Sequence, residues 1–284
     1  MNRQLSANKH VLITGGTGLV GKLVTAELLK EGYEVSHLSR KPGKNPNVKT
    51  YLWDVAKGRI DEHCIDGVDT VIHLAGAPIA GKRWTEKRKK ELIESRTKSI
   101  ALIYQLIKNQ PNKVNTVISA SAIGYYSNRG DELLTEDSPP NNDFMATCCV
   151  AWENAVDDGR SLGLRILKFR TGVVLHKNEG ALPQMSKPVR LGFGAPLGNG
   201  RQWIPWIHWH DVVDMYLYGI KNINLTGVYN MVAPQPVTNK QLMKAIAKKL
   251  HKPLWPLKVP AFVFKLLLGV MSIIILGSIR VSAK

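Results

Sequence analysis

The stretch Val11-Leu12-Ile13-Thr14-Gly15-Gly16-Thr17-Gly18-Leu19-Val20-Gly21 decides the reading of this chain. It opens with a short apolar run suited to a buried parallel strand. A glycine-rich turn follows, with Gly15, Gly18 and Gly21 three apart, and residues 19–31 have the spacing of a helix. Glycine is needed in such a turn because the backbone bends sharply and lies close to a pyrophosphate. The helix N-terminus then meets that charge with unpaired N–H groups and a partial positive charge. A glycine triplet alone says little, but one placed between the strand and the helix that the mechanism requires points to a dinucleotide. Gly15, Thr17, Gly18, Leu19, Val20 and Gly21 are therefore assigned to a cofactor.

Outward from the turn, strand-like apolar runs lie at 10–14, 34–39, 50–53, 70–74, 116–120 and 165–169, with helical segments at 85–109 and 143–161. This alternation predicts an α/β fold, a doubly wound parallel sheet covered by helices on both faces, with ligands at the carboxyl ends of the strands. Beyond residue 175 glycine and proline become frequent, as at Gly180, Pro183, Pro188, Gly192 and Gly194. That composition reads as a smaller, loop-rich substrate-binding portion over 176–284, interleaved with a dinucleotide-binding domain over 1–175. Helical patterns return at 211–221 and 239–250.

The balance of 39 Lys and Arg against 22 Asp and Glu gives a net charge of +17. The lysines are scattered, which favours a solvated surface over a nucleic-acid stripe, and no aromatic-basic platform accompanies them. The densest group, Lys82-Arg83 with Lys87-Arg88-Lys89-Lys90, is placed to border a phosphate-bearing ligand. Cys64, Cys148 and Cys149 have neither disulfide-framework nor zinc spacing, as in a reducing compartment. No secretory signal is read before the first strand, and a cytoplasmic location is expected. Residues 259–281 are very apolar, but Lys265 and several Gly and Ser residues interrupt them. They are read as two short core-packing helices, with membrane association through 259–281 as the weaker alternative.

The end of the second strand chooses the cofactor. An NAD site places Asp or Glu there for the ribose 2′-hydroxyl. This chain has Ser39-Arg40-Lys41, so Arg40 with Lys41 is expected to hold a 2′-phosphate and the cofactor to be NADP(H). Asp54 follows the third strand, within reach of an adenine or as the N-cap of a helix. Leu74-Ala75-Gly76 ends the fourth strand, where small residues let the backbone lie against the cofactor.

At these residues the chain resembles an extended short-chain dehydrogenase/reductase. The turn, the small residues after the fourth strand and Ser119-Ala120-Ser121 on the fifth carry the likeness. More narrowly it resembles the NADP-binding "epimerase family" branch of atypical, nucleoside-diphosphate-sugar epimerase-like members. The matching segments include His73–Ile79, Arg83-Trp84-Thr85, Glu94-Ser95-Arg96, Ser121–Tyr126, Trp152-Glu153, Arg170–Leu175 and Trp206-Ile207-His208. The resemblance implies a Rossmann-type fold and NADP(H) binding, adds Arg96 to the cofactor residues, and implies a small C-terminal domain that is cut short here.

Members of this superfamily pair a Ser with a Tyr-x-x-x-Lys dyad, whose lysine lowers the tyrosine pKa for proton exchange. Ser121 fits the serine role, but the expected helix places Met145 and Cys149 at the dyad positions, and neither replaces the pair. Tyr104 and Lys108 have the spacing but precede the strand that carries Ser121. Ser121 and Tyr125 are the catalytic candidates, with Tyr125 as proton donor or as a stacking surface. Cys148 or Cys149 as a reactive thiol and Glu153 as an acid/base are weaker options. His208 and His210 lack a third metal ligand, so no metal is expected, and Asp211 is read as a helix N-cap. The resulting expectation is an NADP(H)-dependent oxidoreductase or epimerase-like enzyme acting on a small anionic or nucleotide-linked molecule, as a monomer or homodimer. The alternative is a non-catalytic NADP(H) sensor or interaction protein, motivated by the missing dyad.

Overall fold

The apolar run before the glycine turn becomes the central strand of an eight-stranded sheet. The computed structural model describes residues 9–256 and 258–283. Its first half comprises β1 (His10–Thr14), α1 (Leu19–Lys30), β2 (Glu34–Ser39), β3 (Lys49–Asp54), β4 (Arg59–Ile60), β5 (Thr70–His73), α2 (Glu86–Asn109) and β6 (Thr116–Ala122). Next come β7 (Leu133–Leu134), α3 (Phe144–Asp157), β8 (Arg165–Thr171), β9 (Val173–Leu175), α4 (Ala181–Arg190), β10 (Trp203–Ile204) and β11 (Trp206–His208). The chain continues through α5 (Trp209–Lys221), β12 (Gly227–Met231), β13 (Val237–Thr238), α6 (Asn239–Lys249), α7 (Ala261–Leu268), α8 (Ile273–Leu276) and β14 (Arg280–Val281).

The sheet order is β12-β8-β6-β5-β1-β2-β3-β4, parallel except for the antiparallel edge pair β3–β4. This is the Rossmann-like, doubly wound architecture. The order reverses between β1 and β5, and the ligand crevice of such a sheet opens at the carboxyl ends of these strands. Alternate residues of β1 explain why both faces are covered. Val11 and Ile13 pack with Val24 and Leu28 of α1 and Tyr216 of α5, whereas Leu12 faces Ile100 and Ile103 of α2 and Val156 of α3. β12 joins the large sheet beside β8, although β9, α4, β10, β11 and α5 intervene in the sequence.

Three expectations change, at α5, at α7 and at β6. α5 starts at Trp209 rather than at 211. His208 is its N-cap, its ring nitrogen accepting the His210 amide, so Asp211 sits inside the first turn, where its charge favours the helix dipole. The apolar C-terminal segment does form two short helices, but α7 does not pack as a core helix, and none of its residues is buried. Leu268 and Ile273 turn inward toward Leu92 and Trp84, while Phe262, Leu266 and Leu267 stay exposed. β6 also runs two residues further than expected, so Ser121 lies within the strand. No helix among the described residues is long and apolar enough to cross a membrane.

Candidate functional site

The glycine turn is held by contacts that leave no room for side chains. Gly15 has φ +70°, and a Cβ there would lie 2.9 Å from the Leu74 carbonyl oxygen. Thr14 Oγ1 accepts hydrogen bonds from the amides of both Leu74 and Ala75 at 3.1 Å, tying the two strand ends together across the switch point. A Cβ on Gly21 would sit 2.5 Å from the Gly15 carbonyl oxygen, so only glycine lets α1 approach the turn this closely. Gly18 is the N-cap of α1 and supplies no side-chain cap, and the first turn holds no acidic residue. The amides at Leu19 and Val20 thus have no partner within the helix and no side-chain cap, and Thr17 beside them is exposed.

Beneath the turn lies His37 of β2. Its ring is where a Gly16 Cβ would fall, and its Nε2 lies 2.8 Å from Thr25 Oγ1 of α1. Burial lowers its pKa. The sequence reading passed over His37; the available signal was a lone titratable residue inside an apolar strand.

At the end of β2, Arg40 and Lys41 are exposed, and Lys41 donates its amide to Ser39 Oγ at 3.3 Å. Asp54 ends β3 and caps a short 3-10 turn by accepting the Lys57 amide at 3.2 Å. Past β5, Gly76 lies against Arg96, whose guanidinium a Cβ would approach to 3.0 Å. Arg96 donates to the carbonyls of Leu92 (2.8 Å) and Ala77 (3.1 Å) and lies 5.0 Å over the Trp152 ring. Burial lowers its pKa.

The candidate catalytic end has a different character. Ser121 donates its hydroxyl proton to Glu153 Oε1 at 2.6 Å. Glu153 also accepts Arg170 through both oxygens, at 2.8 and 3.0 Å, and lies 3.8 Å from Lys168. Lys168 in turn pairs with Asp157. The Ser121, Glu153, Lys168 and Arg170 side chains are buried. Arg170 further donates to the Tyr126 hydroxyl and to the Glu136 carbonyl. Burial works to lower the Arg170 pKa, but its ion pair with Glu153 more than reverses this, and the guanidinium is held charged. Lys168 was missed in the sequence, though a lone lysine between Leu167 and Phe169 in a buried strand signals a buried partner.

Tyr125 closes the 3-10 turn that follows β6. The Arg170 guanidinium lies 3.4 Å from its ring centroid, and its edge meets Tyr126. At the positions of the missing dyad, Met145 and Cys149 press against that same turn. A Cβ on Gly124 would be 2.9 Å from the Met145 methyl and 3.5 Å from Cys149 Sγ. Burial raises the thiol pKa of Cys148 and Cys149, which opposes a reactive-thiol role. Tyr104 is a core residue that donates to the Val156 carbonyl at 2.6 Å. Among the described residues no three His, Cys, Asp or Glu are grouped to hold a metal ion.

Three comparisons with known proteins agree with this architecture. The model of the NAD dependent epimerase/dehydratase family matches residues 11–231. Epimerase family protein YfhF of Bacillus subtilis is 36% identical over 277 residues, covering 97% of this chain and 90% of that protein. The crystal structure of human epimerase family protein SDR39U1 (isoform 2) with NADPH superposes with a TM-score of 0.83 at 30% identity, covering 96% of this chain and 91% of that one. The nucleoside-diphosphate sugar epimerase of Corynebacterium glutamicum gives a TM-score of 0.77 at 32% identity over 98% of this chain and 53% of its own. On the family match, the sequence identity and the fold together, this chain belongs to the NAD-dependent epimerase/dehydratase family.

Proposed function

We propose that the protein binds NADP(H) in the β1–α1 crevice and acts as an oxidoreductase or epimerase-like enzyme on a small hydroxylated, anionic or nucleotide-linked substrate. The observation that carries the reading is the uncapped N-terminus of α1 behind a turn in which Gly15, Gly16 and Gly21 leave no room for a Cβ, with Arg40 and Lys41 where an NAD site has a carboxylate. The bound nicotinamide would supply a hydride acceptor or donor. The α1 amides would hold the pyrophosphate, and Arg40 with Lys41 the 2′-phosphate. Leu74, Ala75 and Gly76 would form the wall on the β5 side. NADPH bound to human SDR39U1 supports the same assignment.

On the substrate side, Ser121 has committed its proton to Glu153, so its oxygen is left to accept a hydrogen bond. That suits an alcohol approaching the nicotinamide. Tyr125, which closes the 3-10 turn after that strand, is the remaining proton carrier. Titrating the protein with NADPH and with NADH, read through tryptophan fluorescence, tests the cofactor assignment. Tight NADPH and weak NADH binding is expected, and equal affinities would remove Arg40 from its role. Ser121→Ala is expected to abolish turnover while leaving NADPH affinity unchanged, and full activity in that variant would remove Ser121 from the reaction.

One observation favours a second reading, in which the nucleotide is bound without turnover. The dyad positions carry a thioether and a buried thiol, and the Ser121 proton is already taken. Substrate-dependent oxidation of NADPH in a screen of nucleotide sugars and small hydroxy acids would reject it.

A further inference from the structure

The glycine turn rests on a titratable side chain. His37 is 8% exposed, and its partners in the sheet register are Ile13 of β1 and Thr50 of β3. A Cβ on Gly16 would fall 2.5 Å from both Cε1 and Nε2 of its ring, and a Cβ on Gly21 would fall 2.6 Å from the Gly16 Cα. Gly16 is thus gripped between the imidazole and the first turn of α1. It stands just before Thr17, Gly18 and the uncapped amides of Leu19 and Val20.

The surroundings of the ring leave its charge to be decided by a ligand. Burial alone lowers its pKa. The charged groups on the elements around it are engaged elsewhere. On α1, Lys22 pairs with Glu179, Lys30 with Glu27, and Glu31 with Lys221. On β3, Lys49 lies over Tyr51, and His10 meets Glu34 at the opposite ends of β1 and β2. Arg40 and Lys41 at the end of β2 are exposed, and the turn from Gly15 to Gly18 has no charged side chain. The contact with Thr25 suits either protonation state, because a hydroxyl can donate to a neutral Nε2 or accept from a charged ring.

We infer that His37 is a further cofactor residue, which sets the Gly16 backbone at the pyrophosphate seat and takes up a proton from solvent when the dinucleotide binds. The inference rests on NADP(H) occupying the β1–α1 crevice. Bound phosphates would add negative charge near a buried ring that meets none without them, where water and salt screen little. The charged imidazole is then favoured in the complex. By linkage, the protein holds the cofactor more tightly as pH falls. Each unit by which binding raises the pKa of the ring is worth about tenfold in affinity. An apolar ring would fill the same space under Gly16 but leave affinity blind to pH at this position.

The histidine Cε1–H signals of the full chain, followed by NMR over a pH range with and without saturating NADP+, test the inference. One signal, missing from His37→Gln, is expected to titrate below about 6.5 in the free protein and at least about one unit higher in the complex. Should that variant not fold, Thr25→Val identifies the signal instead, since it removes the hydroxyl bonded to the ring. Calorimetric titration with NADP+ should show affinity rising by about threefold or more from about pH 8 to about pH 5, relative to His37→Gln. The comparison cancels the ionisation of the 2′-phosphate, which both proteins meet alike. A His37 midpoint that does not move on binding, or equal pH dependence in protein and variant, overturns the inference and leaves the cofactor assignment standing. No NADP+ binding at any pH removes both.

Discussion

The two ends of the crevice differ in how their polar groups are satisfied. At the β1–α1 end, the helix N-terminus has no cap, its first turn has no acid, and Arg40 and Lys41 point into solvent. At the β6–α3 end, Ser121, Glu153, Arg170, Lys168 and Asp157 satisfy one another. Arg170 and Lys168 share Glu153, Lys168 and Arg160 share Asp157, and every buried charge of the network has a partner within it. Open donors advertise a ligand, whereas a completed network advertises stability. This contrast is why the cofactor reading is stronger than the catalytic one.

The sharpest way to break the comparison is to open the closed end. Glu153→Ala would leave Arg170 and Lys168 buried without their shared carboxylate, and removing one partner of such a pair costs about 3–5 kcal/mol. Glu153→Gln keeps shape and one acceptor and should cost less. Urea denaturation would rank the three proteins. A loss below about 1 kcal/mol in the alanine variant would mean that the network does not hold the fold, and that Glu153 is retained for another task. At the open end the expected outcome is reversed. Arg40→Ala should leave stability unchanged and weaken NADPH by about ten- to a hundredfold, the worth of roughly 1.5–3 kcal/mol for hydrogen bonds to a charged group. NADH affinity should not move, which calorimetric titration of both cofactors would check.

The same contrast explains what was legible in the sequence. The strand, turn and helix from Val11 onward could be read because local rules govern them: apolar run, glycine spacing, helical period. The sheet followed from the alternation of elements. The closed network was not legible as a network, because Glu153 and Arg170 come together only when α3 packs across β8, and sequence spacing carries no record of that. Even so, Lys168 and His37 were visible as charged or titratable residues in apolar strands. α7 misled because hydrophobicity reports a wish to be covered and not by what. Asp211 misled because Asp is a good N-cap, but the chain already entered the helix at His208.

An effect that is absent at neutral pH and grows only on acidification belongs to His73, which lies between the two ends. It sits on β5 beside the open end, fully buried, with Nε2 2.8 Å from Ser99 Oγ and Nδ1 3.3 Å from Ser119 Oγ. Burial, with the neighbouring Arg96 charge, pushes its pKa down to about 3. An unfolded histidine titrates near about 6.5. Between those values the unfolded chain binds a proton that the folded one refuses, so stability falls as pH drops below about 6.5 and continues to fall toward about 3. The slope from this one group approaches about 1.4 kcal/mol per pH unit. Comparing urea midpoints at pH 7 and pH 5 for the protein and for His73→Gln isolates it. The variant loses some stability at pH 7 through its changed hydrogen bonds but should lose less on acidification, and the two curves should converge. Parallel curves would mean that water reaches the ring, and that the strand ends joined by Thr14 are looser than the closed network on their far side.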